Sequence, residues 1–380
     1  MPRANSARTA TRMASAHKIR LGILFGGRSG EHEVSLTSAA SVIAALDPRS
    51  FAITAIGITK SGNIATTDEM RRMLPAGLLG RVEPYDALEA RNSALRLSSG
   101  DRDGPDRNHA SLPEIIFPLL HGPFGEDGTI QGLLEIAGLP YIGCGVLASA
   151  VGMDKDVMKR LFLHAGLPTL PFLVVRSQDL PAAIPALQPS IEETLGFPVF
   201  SKPANLGSSV GVVKIHHIGQ LKEGLLFSSQ FDGKVIVEKG IEARELECAI
   251  LGNADPQASG VGEVIPAREF YDYQAKYEDA ASRVEIPAQV PEEISEQIRR
   301  LAIKAFQCID GTGLARVDFF LERGNGKVWL NEINTMPGFT PISMYPKLWA
   351  AQGLTFEELV GRLVRLGLER HRERSGRRIF

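Results

Sequence analysis

An α/β domain followed by an α+β region of two subdomains is the fold class this sequence predicts. Three observations predict it. In residues 18–150 short apolar runs alternate with stretches of helical spacing, the pattern of a mainly parallel sheet. Beyond residue 150 the alternation gives way to short strands with turn residues between them. The length of 380 residues suits two or three domains at about 100–200 residues each.

The elements follow in order. Residues 1–17 carry Arg3, Arg8 and Arg12, and no acid precedes Glu31. They read as a disordered basic tail or as a start upstream of Met13, although the composition also resembles an organelle transit peptide. Ile19 to Phe25 is an apolar strand running into Gly26-Gly27. Val34 to Leu46 has helical spacing and is closed by Asp47-Pro48; Phe51 to Thr59 is a second strand. Thr66 to Ser111 is weakly constrained, and Asn92 to Ser111 reads as a surface loop. Ile115 to Leu120 is a further strand, Ile130 to Ala137 a helix, and Tyr141-Ile142-Gly143 a strand-like piece.

A central subdomain at 151–240 opens with a helix at Lys155 to Ala165, ended by Gly166 and Pro168. Short strands and a helix around Gln220 to Phe227 complete it. In the last subdomain, 241–380, strands are expected at Glu245 to Leu251, Arg316 to Leu321 and Val328 to Ile333. Helices are expected at Pro291 to Ile309 and Phe356 to Leu368.

Composition removes several functions. Lys plus Arg is 42 against 44 Asp plus Glu, which argues against a nucleic-acid binder or charge-driven membrane attachment. The longest uncharged stretch, Ile136 to Met153, contains Pro140 and glycines and is no transmembrane helix. Cys144, Cys248 and Cys308 are far apart, so zinc and disulfide frameworks are not expected and a reducing compartment is. There is no GxxxxGK[ST] loop. Gly143 to Ala148 matches GxGxxA, but the acid a dinucleotide site wants about 20 residues later is missing.

Two clusters carry chemistry. Lys202-Pro203-Ala204-Asn205-Leu206-Gly207-Ser208-Ser209-Val210-Gly211 joins two apolar strands. Its small residues let backbone N–H groups approach an anion, its hydroxyls add donors and Lys202 adds charge. A flexible hairpin tip would share the glycine and serine content but not the lysine. In the second cluster, Arg316, Asp318 and Phe320 share one strand face, and Glu332 and Asn334 share a face with Leu330. With Gly324-Asn325-Gly326 as the turn, Asp318 lies opposite Glu332. Facing carboxylates repel unless compensated, and an all-oxygen donor set selects Mg²⁺ or Mn²⁺. The plainer alternative is a solvated hairpin face balanced by Arg316.

Two further stretches stand out. Gly26 to Glu33 is a glycine loop meeting a helix start, and Tyr271 to Tyr277 holds three of the 6 tyrosines.

These stretches, with His121 to Gly128, Met153-Asp154-Lys155 and Asn334 to Thr340, resemble in order the D-alanine–D-alanine ligases, ATP-grasp enzymes of peptidoglycan synthesis. The resemblance spans about residues 18–370. It implies a Rossmann-like, pre-ATP-grasp substrate domain at 18–150, then central and C-terminal ATP-grasp subdomains, the last with the metal site. It implies an ADP-forming ligation of two D-alanines through a D-alanyl phosphate. Lys155, Lys202, Ser208 and Ser209 are then expected at the ATP phosphates, with Lys276 reaching the γ-phosphate. Glu238, Lys239 and Ile241 would line the adenine and Glu245 would take the ribose. Asp318, Glu332 and Asn334 would hold two Mg²⁺ ions or Mn²⁺. Arg316 and the Gly338 backbone would form an oxyanion site.

Glu31, near His121, would pair with the first D-alanine, and Ser343 and Met344 would flank the second. Tyr277, with Glu31 and Ser208, would latch the closing loop. Lys276-Tyr277 and Met344 favour an amine over a D-lactate acceptor. The resemblance also implies a cytoplasmic homodimer.

Overall fold

A computed structural model describes residues 18–85, 113–265 and 283–377. It contains three sheets. The first is parallel, in the order β3-β2-β1-β4, built from β1 (Ile19–Gly26), β2 (Phe51–Ile58), β3 (Val82–Pro84) and β4 (Ile115–Leu119). Helices α1 (His32–Ala45), α2 (Thr67–Met73), α3 (Thr129–Ile136) and α4 (Val146–Met153) accompany these strands. Because the chain leaves β1 toward β2 on one side and β4 lies on the other, a crevice opens at the carboxyl ends of β1 and β4, where α/β sheets bind ligands.

A second sheet is antiparallel, ordered β5-β8-β6-β7: β5 (Phe172–Arg176), β6 (Val199–Pro203), β7 (Val213–Ile215) and β8 (Lys234–Lys239). Two helices pack on it, α6 (Leu180–Ser190) and α7 (Leu221–Ser228), whereas α5 (Lys155–His164) enters the core of the third sheet through Met158 and Phe162. The third sheet, also antiparallel, is ordered β11-β10-β9-β12-β13. Its strands are β9 (Ala243–Gly252), β10 (Gln257–Ile265), β11 (Arg283–Glu285), β12 (Gly313–Glu322) and β13 (Val328–Asn334). Helix α8 (Glu292–Cys308) covers it with Ile298, Ala302, Ala305 and Phe306. The α/β unit followed by α+β sheets agrees with the expected fold class.

Packing locks the segment between β13 and α9 (Met344–Ala350) onto the parallel sheet. Phe339 is fully buried, and its ring lies 5.3 Å from Phe117, 5.9 Å from Tyr345 and 5.3 Å from Phe356. The last helix, α10 (Phe356–Ser375), starts in a Thr355–Glu358 capping box. It outruns the expected end at Leu368 because residues 369–374 are charged rather than apolar. One of them, Arg370, is buried and clamps the two regions: it donates to Gly143 O at 2.5 Å and Tyr141 O at 3.2 Å and lies over the Tyr141 ring.

Several elements were not expected, the short strands β3 and β11 and helix α9 among them. Helix α2 sits in the weakly constrained stretch, held by a Thr66–Glu69 capping box. Helix α6 carries Pro185 and Pro189 inside it, which disguises the helical pattern. Strands β5 and β10 complete the two antiparallel sheets. One face assignment is corrected. Leu330 does not share a face with Glu332 and Asn334; it is fully buried with Val328 and Ile333. The pairing of β12 with β13 shifts between Asp318 and Phe319, and the bulge turns Glu332 to the opposite side. The tail at 1–17, the loop at Asn92 to Ser111 and the stretch Tyr271 to Tyr277 lie outside the described residues.

Candidate active site

The amino-terminal wall is made by two glycine turns at the carboxyl ends of β1 and β4. At Gly26 φ is +94°, and a Cβ there would come 2.1 Å from Ile58 O, so only glycine fits. The turn delivers Glu31 to the start of α1, where it makes no side-chain cap. Its carboxylate instead accepts a hydrogen bond from the Ser208 hydroxyl, 177 residues away. Gly122 leaves room for it: a Cβ at that position would lie 2.7 Å from Glu31 Oε2.

His121 supports this wall from behind. It is buried, with Nε2 3.0 Å from Ser38 Oγ and Nδ1 3.1 Å from Met336 O. Its backbone carbonyl accepts from Ser29 Oγ at 2.6 Å. Burial alone would lower the imidazole pKa, but the Glu126 carboxylate 3.7 Å away, and then Glu31, raise it above the ordinary 6.5. Burial in turn pushes the Glu126 carboxyl up.

The carboxyl-terminal wall is the half-buried polar face of β12 and β13. Arg316 pairs with Asn334 in register and Asp318 with Glu332. Arg316 forks onto Asp318, with Nε to Oδ1 and Nη2 to Oδ2 both 2.7 Å. Asn334 Nδ2 donates to Asp318 Oδ2 at 2.9 Å. The Glu247 carboxylate on β9 stands 2.8 Å from Arg316 Nε, and Asp318 is paired with Glu247 on its other side. Three carboxylates therefore form a row across three strands. Burial opposes the Arg316 charge, but Asp318 and Glu247 outweigh it and hold its pKa well above the ordinary value. Every donor here is oxygen, which fits Mg²⁺ or Mn²⁺. Among the described residues no group of three or more His, Cys, Asp or Glu is preassembled as a metal cage.

A third wall is lysine-rich. Lys155, at the start of α5, donates to Leu206 O at 2.6 Å and stands 3.5 Å from Glu332 Oε2. It thus ties the β6–β7 loop to the metal-type face. Asp154 caps that helix and accepts from Lys234 Nζ at 2.6 and 2.7 Å. On β6, Lys202 Nζ is 2.5 Å from Glu238 Oε2, and Lys159 Nζ is 2.5 Å from Glu238 Oε1. The Lys159 contact is off the hydrogen-bond directions. Burial would raise the Glu238 carboxyl, yet the two lysines hold it at about 2. The same carboxylate overcomes burial for Lys202 and raises its pKa, whereas burial still wins for Lys159.

In the loop, Ser208 and Ser209 adopt φ of 52° and 57°. Glu126, Lys155, Gly207, Glu332, Asn334 and Thr335 line a common cleft.

Other expected residues fall as follows. Lys239 ends β8, with Ile241 just beyond. Glu245 sits on β9, opposite Val264 and Phe320. Gly338 lies against Ser343, whose hydroxyl would be 3.1 Å from a Cβ at 338, and Ser343 Oγ is 2.8 Å from Thr340 Oγ1. The Met344 side chain is buried and packs on Gly262 in the core. Lys276 and Tyr277 lie outside the described residues.

Two family descriptions match the chain. Residues 20–144 match the D-ala D-ala ligase N-terminus and residues 161–365 the D-ala D-ala ligase C-terminus. The chain belongs to the D-alanine–D-alanine ligase family. A relative of that name from Acetivibrio thermocellus is 46% identical over 370 residues, covering 94% of this chain and 97% of the relative. The solved structure of the D-alanine-D-alanine ligase from Coxiella burnetii is 33% identical, with a TM-score of 0.76 over 95% of this chain and 97% of that one. The VanG D-Ala:D-Ser ligase from Enterococcus faecalis is 32% identical, also at 0.76, over 92% of this chain and 100% of that one. The ATP-grasp fold and membership of the ligase class follow.

Within this family site, sequence reasoning missed Glu126, Lys159 and Glu247. Lys159 carried a signal, since it follows Lys155 by four residues on one helix face. Glu247 carried one too: it shares a strand face with Glu245. Glu126 carried none beyond its place in a glycine-rich turn.

Proposed function

We propose that this chain joins two D-alanines into D-alanyl-D-alanine at the expense of ATP, for the peptidoglycan precursor. The observation that carries the reading is the Asp318–Glu332 pair beside Arg316, facing Lys155 and the Ser208 loop, in a chain of this family. Glu31 holds the ammonium of the first D-alanine, kept in place by Ser208 and backed by His121. Lys155 and Lys202, with Ser208 and Ser209, hold the phosphates. Lys239 and Ile241 line the adenine with the Glu238 backbone, because its carboxylate is committed to lysines. Glu245 takes the ribose. Asp318, Glu332 and Asn334 would hold two Mg²⁺ or Mn²⁺ ions, which neutralise phosphate charge when bound.

The carboxylate of the first D-alanine takes the γ-phosphoryl group and ADP leaves; the neutral amine of the second attacks the acyl carbon and gives up a proton to solvent, and phosphate leaves with both electrons of its bond. Arg316 and the Gly338 N–H face the oxygen that gains charge, where fixed donors act most strongly. Ser343 flanks the second substrate, and the buried Met344 shapes that wall from beneath. Lys276 would reach the γ-phosphate, and Tyr277, with Glu31 and Ser208, would latch the closing loop and so exclude water. Three free cysteines suit a reducing cytoplasm, and we assign a homodimer. No helix among the described residues is long and apolar enough to cross a membrane.

Phosphate release with ATP, Mg²⁺ and D-alanine, against L-alanine as control, tests the reading. D-alanine-dependent release with dipeptide product is expected, and its absence overturns the assignment. D-lactate supplied as competing acceptor at pH 6 to 9 tests the amine preference; dominant depsipeptide at low pH would reverse it.

A further inference from the structure

The Nε–H of Arg316 lies between two carboxylates. It donates to Asp318 Oδ1 at 2.7 Å, while Glu247 Oε2 stands 2.8 Å from the same nitrogen without receiving a directed bond. One N–H cannot serve both acceptors well at once. We infer that Glu247 is a positioning residue for Arg316: it takes the Nε–H when Asp318 turns away from the guanidinium. The inference rests on the reading above, in which Asp318 has a second duty at the phosphates.

The geometry supports an exchange rather than a simple tether. Asp318 uses both oxygens on Arg316 and also accepts from Asn334 Nδ2 at 2.9 Å. In the present arrangement Asp318 has little lone-pair capacity left for any other partner. Engaging another partner requires it to surrender part of the Arg316 fork. Without a second acceptor, a guanidinium of 19% side-chain exposure would lose its orientation at that moment. Glu247 fills the gap from the other side. It sits on β9 directly across from Asp318, so its backbone is fixed by the sheet and only its side chain adjusts. Its own side chain is 13% exposed, held in the same shielded face. Lateral support therefore keeps Arg316 aimed along the face while Asp318 works elsewhere.

The test uses Glu247→Gln, Glu247→Asp, Arg316→Lys and the double variant Glu247→Gln/Arg316→Lys in the full chain. Steady-state phosphate release gives kcat and both KM values. Calorimetric ATP binding with Mg²⁺ and thermal melting give readouts independent of turnover. For Glu247→Gln, kcat is expected to fall about tenfold, the loss of one charge-assisted contact. Both KM values and ATP affinity should stay within about twofold, which is uniform binding left intact. Glu247→Asp should recover part of kcat. The double variant should be no slower than Arg316→Lys alone, the non-additivity of groups acting as a unit.

Unchanged kcat in Glu247→Gln beside a crippled Arg316→Lys would overturn the inference, because Asp318 alone would then suffice. A lowered melting temperature with normal kcat would overturn it too, leaving only a stability role. If Arg316→Lys itself turns over normally, the oxyanion reading of Arg316 has failed instead, and this inference falls with it.

Discussion

Two charged centres face each other across the cleft, and they are unbalanced in opposite directions. On the β6–β8 side, Lys159 and Lys202 share the single carboxylate of Glu238, an excess of positive charge. On the β12–β13 side, Arg316 stands among Glu247, Asp318 and Glu332, an excess of negative charge. The first centre is nearly sealed, with Lys159 and Glu238 each 1% exposed. The second is half-buried, with Glu332 at 25%. A surplus of one sign is costly to keep in a shielded place unless a ligand of the other sign completes it. The pair is thus suited to a polyphosphate on one side and cations on the other, and the chain's net charge of −2 hides both surpluses.

The sharpest way to break the comparison is on the negative side. Glu332→Ala removes one member of the facing pair and also the partner of Lys155 at 3.5 Å. We expect kcat to fall by about a thousandfold or more, the scale seen when charge stabilisation at a reacting oxygen is lost. Phosphate release would measure it, and ATP binding should no longer respond to Mg²⁺. Near-normal activity would mean that the carboxylate row is merely a solvated hairpin face.

On the positive side the expected damage is to folding. Glu238→Ala leaves Lys159 and Lys202 without the carboxylate both touch and should cost about 3–5 kcal/mol of stability, read by denaturant or thermal unfolding. Acid should act in the same direction. The carboxyl is held at about 2 against an ordinary 4.5, so its contribution is complete above 4.5 and is lost as pH falls toward 2. A variant as stable as the parent would show that the lysines are neutral, and the surplus would not exist.

The sequence made these two centres unequally legible. The glycines at 324 and 326 pointed to Asp318 opposite Glu332, and the pairing is there. The route differs, however. Glu322 N bonds to Lys327 O across a four-residue turn, and the bulge beyond it restores the expected pairing. Two one-residue offsets cancel, so the facing pair was right while Leu330 was placed on the wrong side. Lys202 stood out as the charge at the base of the small-residue loop, and Glu238 only through the family resemblance; that they touch depends on β6 lying beside β8, a pairing no local pattern encodes. The same holds for Glu247, which needs β9 next to β12. Helix α6 was invisible because Pro185 and Pro189 break the local rule.

Between the two centres, the Ser208–Glu31 bond ties the β6–β7 loop to the start of α1. Ser208→Ala removes a hydrogen bond to a charged group, worth about 1.5–3 kcal/mol. A rise of about tenfold or more in one D-alanine KM follows at 1.4 kcal/mol per decade, with ATP affinity less affected. Equal losses for both ligands would mean that the loop serves the phosphates alone and does not join the two sides.

The smallest effect concerns the support behind Glu31. Burial would depress the His121 pKa, and Glu126 is the largest influence that lifts it above 6.5. A raised histidine pKa favours the protonated, folded state. Its contribution is therefore complete below 6.5 and fades as pH rises through the shifted value. In Glu126→Gln the burial is opposed mainly by Glu31, and the imidazole should titrate at lower pH than in the parent. An NMR titration of the histidine side chains reads this directly. If His121 titrates at the same pH in both proteins, Glu126 does not set its charge. The amino-terminal wall would then owe its order to the glycine turns and the Ser29, Ser38 and Met336 contacts alone.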